Sequence, residues 1–309
     1  MRGGVARRGG LRHLSETDRP ANGGFFCEPT LRFLRRATAD VTMNTSLRPS
    51  LILSLADNPV ALNLVLEALS LQTRPPAELL IVDDGSDDQT TALIERWSAR
   101  LPFPIRRFWQ PHFEFKKTAA LNRAVRAASG NYLIFLEGDC LPHRRFIADH
   151  CRHAARGCFV QGRRAGIRAR YIRDLSPRRL QPFVLFAQGR LYHLRRAVRR
   201  PFASVSKNER HAIRGCNFAV WREDFFRVNG FDESFVGWGH EEAELALRLR
   251  HAGLVAKTVF GQAIVYHLDH PRIARYRMNV NERILEQTRR ERRIRCEHGV
   301  ADEPLAAEI

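Results

Sequence analysis

Two stretches of this chain, LLIVDDGSDD at 79–88 and NYLIFLEGDC at 131–140, run apolar for the length of a strand and then stop abruptly in carboxylates. A near-continuous apolar strand has to be buried on both faces, which is the condition of a parallel sheet covered by helices. The flanking sequence alternates to match. SLILSLA (50–56), LLIVD (79–83), PIRRFWQ (104–110) and YLIFLE (132–137) read as strands. ALNLVLEALSLQ (61–72), TTALIERWSAR (90–100) and KTAALNRAVRAAS (117–129) read as the helices between them. Asn58-Pro59 supplies an N-cap and a first-turn proline for the first helix, and Gly130 is expected to stop the third. This alternation predicts an α/β fold with a mostly parallel central sheet and helices on both faces. Such sheets bind ligands outside the carboxyl ends of their strands, where these acids fall.

The rest of the chain is patterned differently. Residues 163–200 hold twelve Arg against one acid, Asp174, around an apolar patch PFVLFAQGRLYHL (182–194). GCNFAVW (215–221) reads as a strand, EEAELALRLRHAG (241–253) as a helix closed by Gly253, and AKTVFGQAIVYHL (256–268) as a strand or strand pair. Residues 272–296 read as an Arg-rich amphipathic helix. Lys plus Arg outnumber Asp plus Glu by 51 to 33, a net charge of +18 that calls for an anionic partner: nucleic acid, an anionic membrane face or a phosphorylated substrate. The six cysteines (Cys27, Cys140, Cys151, Cys158, Cys216, Cys296) form no C-x-x-C pair, which suits a reducing cytosol better than a disulfide framework or a zinc site. No run approaches the roughly 20 apolar residues of a membrane span. The basic N-terminus lacks the apolar stretch of a secretory signal. Residues 1–46 are expected to be a poorly ordered leader, with Met43 as an alternative start.

The chemistry lies in four blocks. Asp83 and Asp84 end a strand before the Gly85-Ser86 turn, where a carboxylate can accept a nucleobase N–H or seat a ribose; an ordinary Asp-Gly-Ser turn is the plainer reading. Glu137 and Asp139 straddle Gly138, so both can face one hard cation, and Mg²⁺ or Mn²⁺ favours such oxygen donors. Glu241 and Glu242 open a helix after Gly237-Trp238-Gly239-His240. Acids suit a first helical turn, but the run with Phe231, Phe235 and Trp238 reads as a binding loop, and one Glu as a general base. His267 and His270 follow at a spacing of three, where a His can join a metal site. The acids do not fit an EF-hand loop, and HEEAE is not the H-E-x-x-H of a zincin.

Taken together, IVDDGS, FLEGDC, GCNFAVWREDFFRVNGFDESFVGWGHEE and VYHLDHP, spread over 48–271, resemble family 2 glycosyltransferases with the GT-A (Rossmann-like) fold. More narrowly, the chain resembles those whose second half is similar to the acceptor region of β-1,4-galactosyltransferases. The resemblance implies that Ser54, Asp83 and Asp84 contact the base and ribose of a nucleotide-diphosphate sugar, and that Lys117, or its neighbour Lys116, lies near the phosphates. It implies a Mn²⁺ or Mg²⁺ ion held by Glu137, Asp139 and His267, with Asp139 the direct ligand, and a sugar pocket shaped by Gly237, Trp238 and Gly239. Glu242 would be the base for an acceptor hydroxyl, and Glu241 would bind acceptor or donor sugar.

The implied organisation is a nucleotide-sugar half at 47–162, an Arg-rich insertion at 163–200, an acceptor and catalytic half at 201–271, and an Arg-rich helix and tail at 272–309. Three positions depart from the family pattern. Glu137 stands where the first D-x-D acid is usually Asp, and Glu242 where the base is commonly the Asp of G-E-D. Ser54-Leu55-Ala56-Asp57 replaces an early T-x-Y-N. Each Glu displaces its carboxylate by one methylene, about 1.5 Å. The expected activity is inverting, metal-dependent transfer of a hexose or N-acetylhexosamine, with a UDP-sugar favoured, to a glycan or glycolipid of the cell surface. The expected location is the cytoplasm, with peripheral contact at the anionic inner face of the plasma membrane. The rival reading is a basic nucleic-acid- or membrane-binding protein with a vestigial site. No helix-turn-helix, RRM, KH or zinc-finger signature supports nucleic acid as partner. A nucleotidyltransferase would want a Gly-rich phosphate loop that is absent here, and it leaves GWGHEE unexplained.

Overall fold

The computed structural model describes residues 47–55, 57–112, 116–206, 213–237, 239–270 and 278–301. The expected leader at 1–46, Trp238 and residues 272–277 of the expected C-terminal helix lie outside the described residues. The first half runs β1 (Pro49–Leu55), α1 (Pro59–Ser70), β2 (Glu78–Asp84), α2 (Asp88–Ser98), β3 (Ile105–Gln110), α3 (Lys117–Ala127) and β4 (Tyr132–Glu137). Then come β5 (Cys140–Pro142), α4 (Phe146–His153), β6 (Cys158–Gln161), β7 (Arg163–Ile167), α5 (Pro182–Ala187), β8 (Leu191–Tyr192) and α6 (Leu194–Ala197). The last part is β9 (Ser204–Ser206), β10 (Asn217–Trp221), α7 (Arg222–Arg227), α8 (Glu241–His251), β11 (Val255–Phe260), β12 (Ile264–Leu268) and α9 (Met278–Glu291).

Among the described residues the large sheet has the order β3-β2-β1-β4-β10-β6-β11-β9. Strands β3, β2, β1 and β4 are mutually parallel; β10 then joins β4 antiparallel. Side chains of these strands alternate between two apolar cores, as a period of two requires. Leu51, Leu53, Leu79, Ile81, Ile134 and Leu136 pack in one, while Ile52, Leu80, Val82, Leu133 and Phe135 pack in the other. A second sheet, β5-β12-β7-β8, is built from the chain after β4. The expected strand or strand pair at 256–268 resolves into two strands in different sheets: β11 in the large one and β12 in the small one. Gly261 (φ +79°) and Ala263 (φ +48°) make the break between them. The Arg-rich stretch takes part in this architecture, because β7 pairs with β12 and β8 with β7.

Local signals act mostly as chemistry dictates. The Asn58 side chain accepts the Ala61 N–H at 3.0 Å, and that of Asp87 accepts the Thr90 N–H at 3.1 Å, capping α1 and α2. Gly130 does not stop α3. That helix ends at Ala127, and the glycine serves a close approach: a Cβ there would lie 2.4 Å from the Arg48 carbonyl. Of the expected binding loop, Phe231 and Phe235 turn inward and serve the core. Both rings are buried. Phe231 packs edge-on against Phe135 (centroids 5.7 Å) and Phe225 (5.6 Å), and such pairs stabilise by about 0.5–1.5 kcal/mol beyond their buried area.

Candidate active site

Carboxylates collect at the carboxyl ends of β1, β2 and β4 because the parallel strands share one direction. Ser54 lies opposite Val82 and Glu137 in the β1 pairings. The Ser54 carbonyl accepts the Gly138 N–H at 2.7 Å, which turns the chain sharply between Glu137 and Asp139. Asp83 is fully buried. One of its oxygens accepts the Ser86 N–H at 3.0 Å, and the other meets the Arg107 guanidinium, with Nε at 2.7 Å. Asp84 sits at the strand end and is held by Gln110 Nε2 (2.8 Å) and His112 Nδ1 (2.7 Å).

Lys117, in the first turn of α3, joins acids from two distant segments. Its Nζ stands 2.9 Å from Glu242 Oε1, 3.4 Å from Glu137 Oε1 and 3.7 Å from Glu241 Oε1. Burial alone would lower the lysine's pKa; the pull of Glu242, Glu137 and Glu241 overcomes it and holds the group well above its ordinary value. Burial, helped by repulsion from Glu242, raises the carboxyl of Glu241, while Lys117 and the Gly239 N–H pull the other way. Glu241 Oε2 accepts that Gly239 N–H at 2.9 Å. The turn into α8 uses left-handed backbone at Gly237 (φ +78°) and His240 (φ +72°), with Gly239 at φ +114°, where a side chain would be strained. Asn281 of α9 steadies this turn, donating to the carbonyls of Val236 (3.2 Å) and Gly239 (3.1 Å).

A second cluster lies at Asp139. Its Oδ2 is 3.0 Å from His270 Nε2 and 3.4 Å from His267 Nε2. Burial would raise the Asp139 carboxyl, but hydrogen bonds from His267 and His270 prevail and hold it well below the usual carboxylate range. One donor atom from each of Asp139, His267 and His270 falls within 4.8 Å of the others, a spacing that a single divalent ion can span. Carboxylate with imidazole suits Mn²⁺ better than Mg²⁺, which favours all-oxygen surroundings. The fit to a divalent cation is therefore good.

The structure thus brings Glu137, Lys117, Glu241 and Glu242 into one cluster, and Asp139 with His267 into another. His270 joins that second set, its signal in the sequence being the three-residue spacing in YHLDH. Trp238 lies outside the described residues. At Gly215, which no local sequence signal marks, a Cβ would lie 2.1 Å from Glu242 Oε1, so a larger residue there would push the carboxylate of the expected base aside. Glu137 also falls within reach of Cys140 and Cys216.

Residues 53–225 match the model of glycosyl transferase family 2, and residues 200–271 match that of the N-terminal domain of galactosyltransferase. Among characterised proteins, the chain is 27% identical over 252 residues to validoxylamine A glucosyltransferase of Streptomyces hygroscopicus subsp. limoneus (72% of this chain, 52% of that protein). It is 26% identical over 220 residues to chondroitin synthase of Escherichia coli (63% and 30%). The chain spans about half the length of the first of these relatives or less. Among solved structures, a mannosyltransferase from Pyrobaculum calidifontis in complex with GDP-Man and Mn²⁺ superposes with a TM-score of 0.53 at 19% identity (78% of this chain, 64% of that one). GalNAc-T7 with UDP, GalNAc and Mn²⁺ superposes with a TM-score of 0.57 at 15% identity (78% and 48%). These superpositions speak for the fold, which is that of GT-A glycosyltransferases. On its family match over more than half its length, the chain belongs to glycosyl transferase family 2.

Proposed function

We propose that this chain transfers a hexose or N-acetylhexosamine, with inversion, from a nucleotide-diphosphate sugar, UDP-linked by preference, to a hydroxyl of a glycan or glycolipid in cell-surface polysaccharide synthesis. The observation that carries the reading is the gathering of Glu137, Glu241 and Glu242 within 3.7 Å of one partly buried lysine, with the Asp139–His267–His270 set beginning two residues after Glu137. Solved neighbours of similar fold hold GDP-Man or UDP together with Mn²⁺, which supports a nucleotide-sugar donor and Mn²⁺ ahead of Mg²⁺.

Residues 47–162 form the donor half and 201–271 the acceptor half, with the Arg-rich insertion between them and the C-terminal helix and tail after them. Asp84 and Ser54 border the base and ribose, and Asp83 acts through Arg107 and the Ser86 N–H that it holds. Gly237, Trp238 and Gly239 shape the sugar pocket, and Glu241 receives sugar hydroxyls. Asp139, His267 and His270 hold the cation, with Glu137 close by. When bound, that ion supplies positive charge to the departing diphosphate. Lys117 adds its own charge there. Glu242, one oxygen anchored on Lys117, takes the proton of the acceptor hydroxyl as that oxygen attacks the anomeric carbon. A single displacement needs no covalent intermediate on the protein, so positioning and charge supply most of the rate.

The basic character also has a place in this reading. Phe183 (65% exposed) and Phe186 (48%) project from α5 amid the arginines of 163–200, a pattern suited to an anionic membrane face on the cytoplasmic side. Among the described residues no helix is long and apolar enough to cross a membrane. Failure to sediment with anionic vesicles at low salt would remove that part. The central test is turnover of a panel of UDP- and GDP-sugars with Mn²⁺, Mg²⁺ or EDTA, comparing the wild type with Asp139→Ala and Glu242→Gln. Metal-dependent turnover of one donor, lost in both variants, supports the proposal. Equal behaviour of all three proteins, with no donor bound, would leave the basic surface as the function.

A further inference from the structure

We propose that Cys140, Cys216 and Glu137 form a second cation site, selective for a soft divalent ion such as Zn²⁺ or Cd²⁺, and that filling it disables the neighbouring Asp139 cluster. The site follows from the strand layout. Glu137 ends β4, Cys140 opens β5 three residues later, and Cys216 directly precedes β10, whose Asn217 pairs with Leu136 of β4. One donor atom from each of the three residues lies within 4.8 Å of the other two. Both thiols are buried, and the partly exposed Glu137 side chain is the way in.

Two sulfurs and one carboxylate form a softer donor set than Asp139 with its histidines, and thiolate selects Zn²⁺-like ions where carboxylate accepts Mn²⁺ or Mg²⁺. Three protein ligands with a fourth position open is a familiar zinc arrangement. The charges balance as well. Coordination releases both thiol protons to solvent, leaving two thiolates and a carboxylate at −3. Arg164, its Nη1 4.0 Å from Cys216 Sγ, brings this to −2, which a divalent ion neutralises.

The link to Asp139 is direct. Cys140 Sγ donates to Asp139 Oδ1 at 3.2 Å, and Glu137 Oε1 is 3.4 Å from Lys117 Nζ. A soft ion would abolish the first contact and compete for the second, altering both clusters together.

The test uses the full chain, stripped with chelator and titrated with CdCl₂ while the ultraviolet thiolate-to-cadmium charge-transfer band is followed; Mn²⁺ binding is read in parallel by electron paramagnetic resonance. Expected is one Cd²⁺ per chain with a thiolate band, retained in Cys296→Ser. Losing a direct ligand in Cys216→Ala should weaken it by at least the roughly 10–100-fold known for loss of an outer-shell partner. One equivalent of Cd²⁺ should reduce Mn²⁺ affinity at least about tenfold in the wild type, by the same scale, and leave it little changed in Cys216→Ala. Absence of the band, its persistence in Cys216→Ala, displacement of Cd²⁺ by equimolar Mn²⁺, or equal Mn²⁺ competition in both proteins would each overturn the proposal. None of these readouts requires turnover; the cadmium band stands apart from the transferase reading, and only the Mn²⁺ competition rests on the cation site proposed at Asp139.

Discussion

One turn of α8 carries members of two ion clusters of opposite character. Glu244 is paired twice with Arg248, at 2.6 and 2.7 Å, and both side chains are hidden from solvent. Arg248 also donates to the carbonyls of Val228 and Gly230, and Thr288 of α9 donates to Glu244 at 3.0 Å. Every charge there has its match, and the cluster ties α8, the turn before Phe231 and α9 together. Glu241 and Glu242, at the start of the same helix, share a lysine with Glu137; Glu241 is buried, while Glu137 and Glu242 stay partly open to solvent. Three carboxylates on one ammonium leave negative charge uncompensated. A balanced, saturated pair builds structure, whereas a surplus of one sign is stable only where something arrives to neutralise it. The difference separates architecture from chemistry among residues of the same type.

The comparison can be broken from either side. Glu242→Gln removes the proposed base and should reduce kcat by about 10²–10⁴-fold while the thermal midpoint stays near that of the wild type, read by donor turnover and calorimetry. Arg248→Ala should do the reverse. It strands a buried carboxylate and should lower stability by about 3–5 kcal/mol in denaturant unfolding. Glu244→Leu with Arg248→Met should recover much of that loss, since apolar replacement of both partners is often neutral. Gly215→Ala puts a methyl 2.1 Å from the present position of Glu242 Oε1, and a displacement of that oxygen by about 1 Å should reduce turnover by about 10²-fold. Adding Glu242→Asp, one methylene shorter, should restore part of it, which a general folding defect would not allow. The smallest effect is expected at the exposed Arg289–Glu286 pair of α9, where Arg289→Ala should change stability by under about 1 kcal/mol. A large effect there would blur the distinction between buried and exposed pairs.

Much of the first half was legible in the sequence because its signals are local. The strands at 50–56, 79–83 and 132–137 are apolar for most of their length, and the structure divides those side chains between two cores. Asn58 and Asp87 cap helices through atoms three residues away. A glycine after a helical pattern usually signals a cap, but at Gly130 the demand comes from the Arg48 carbonyl of a neighbouring segment, which no local pattern shows. Glu244 and Arg248 stand four residues apart on α8, and it is packing against α9 and the 228–230 turn that hides them.

What this sequence determined alone was the set of elements and the chemical character of its loops: buried parallel strands, the acids that end them, and a glycine turn opening α8. Periodicity, capping and turn propensity act over a few residues, so a linear reading captures them. The tertiary structure decided the pairings. Lys117 and Glu242 are 125 positions apart yet 2.9 Å distant, Gly215 clears space for Glu242, and Cys216 reaches Cys140 because β10 enters antiparallel beside β4. Such contacts depend on strand order and register, which arise only when the whole sheet has buried both its faces.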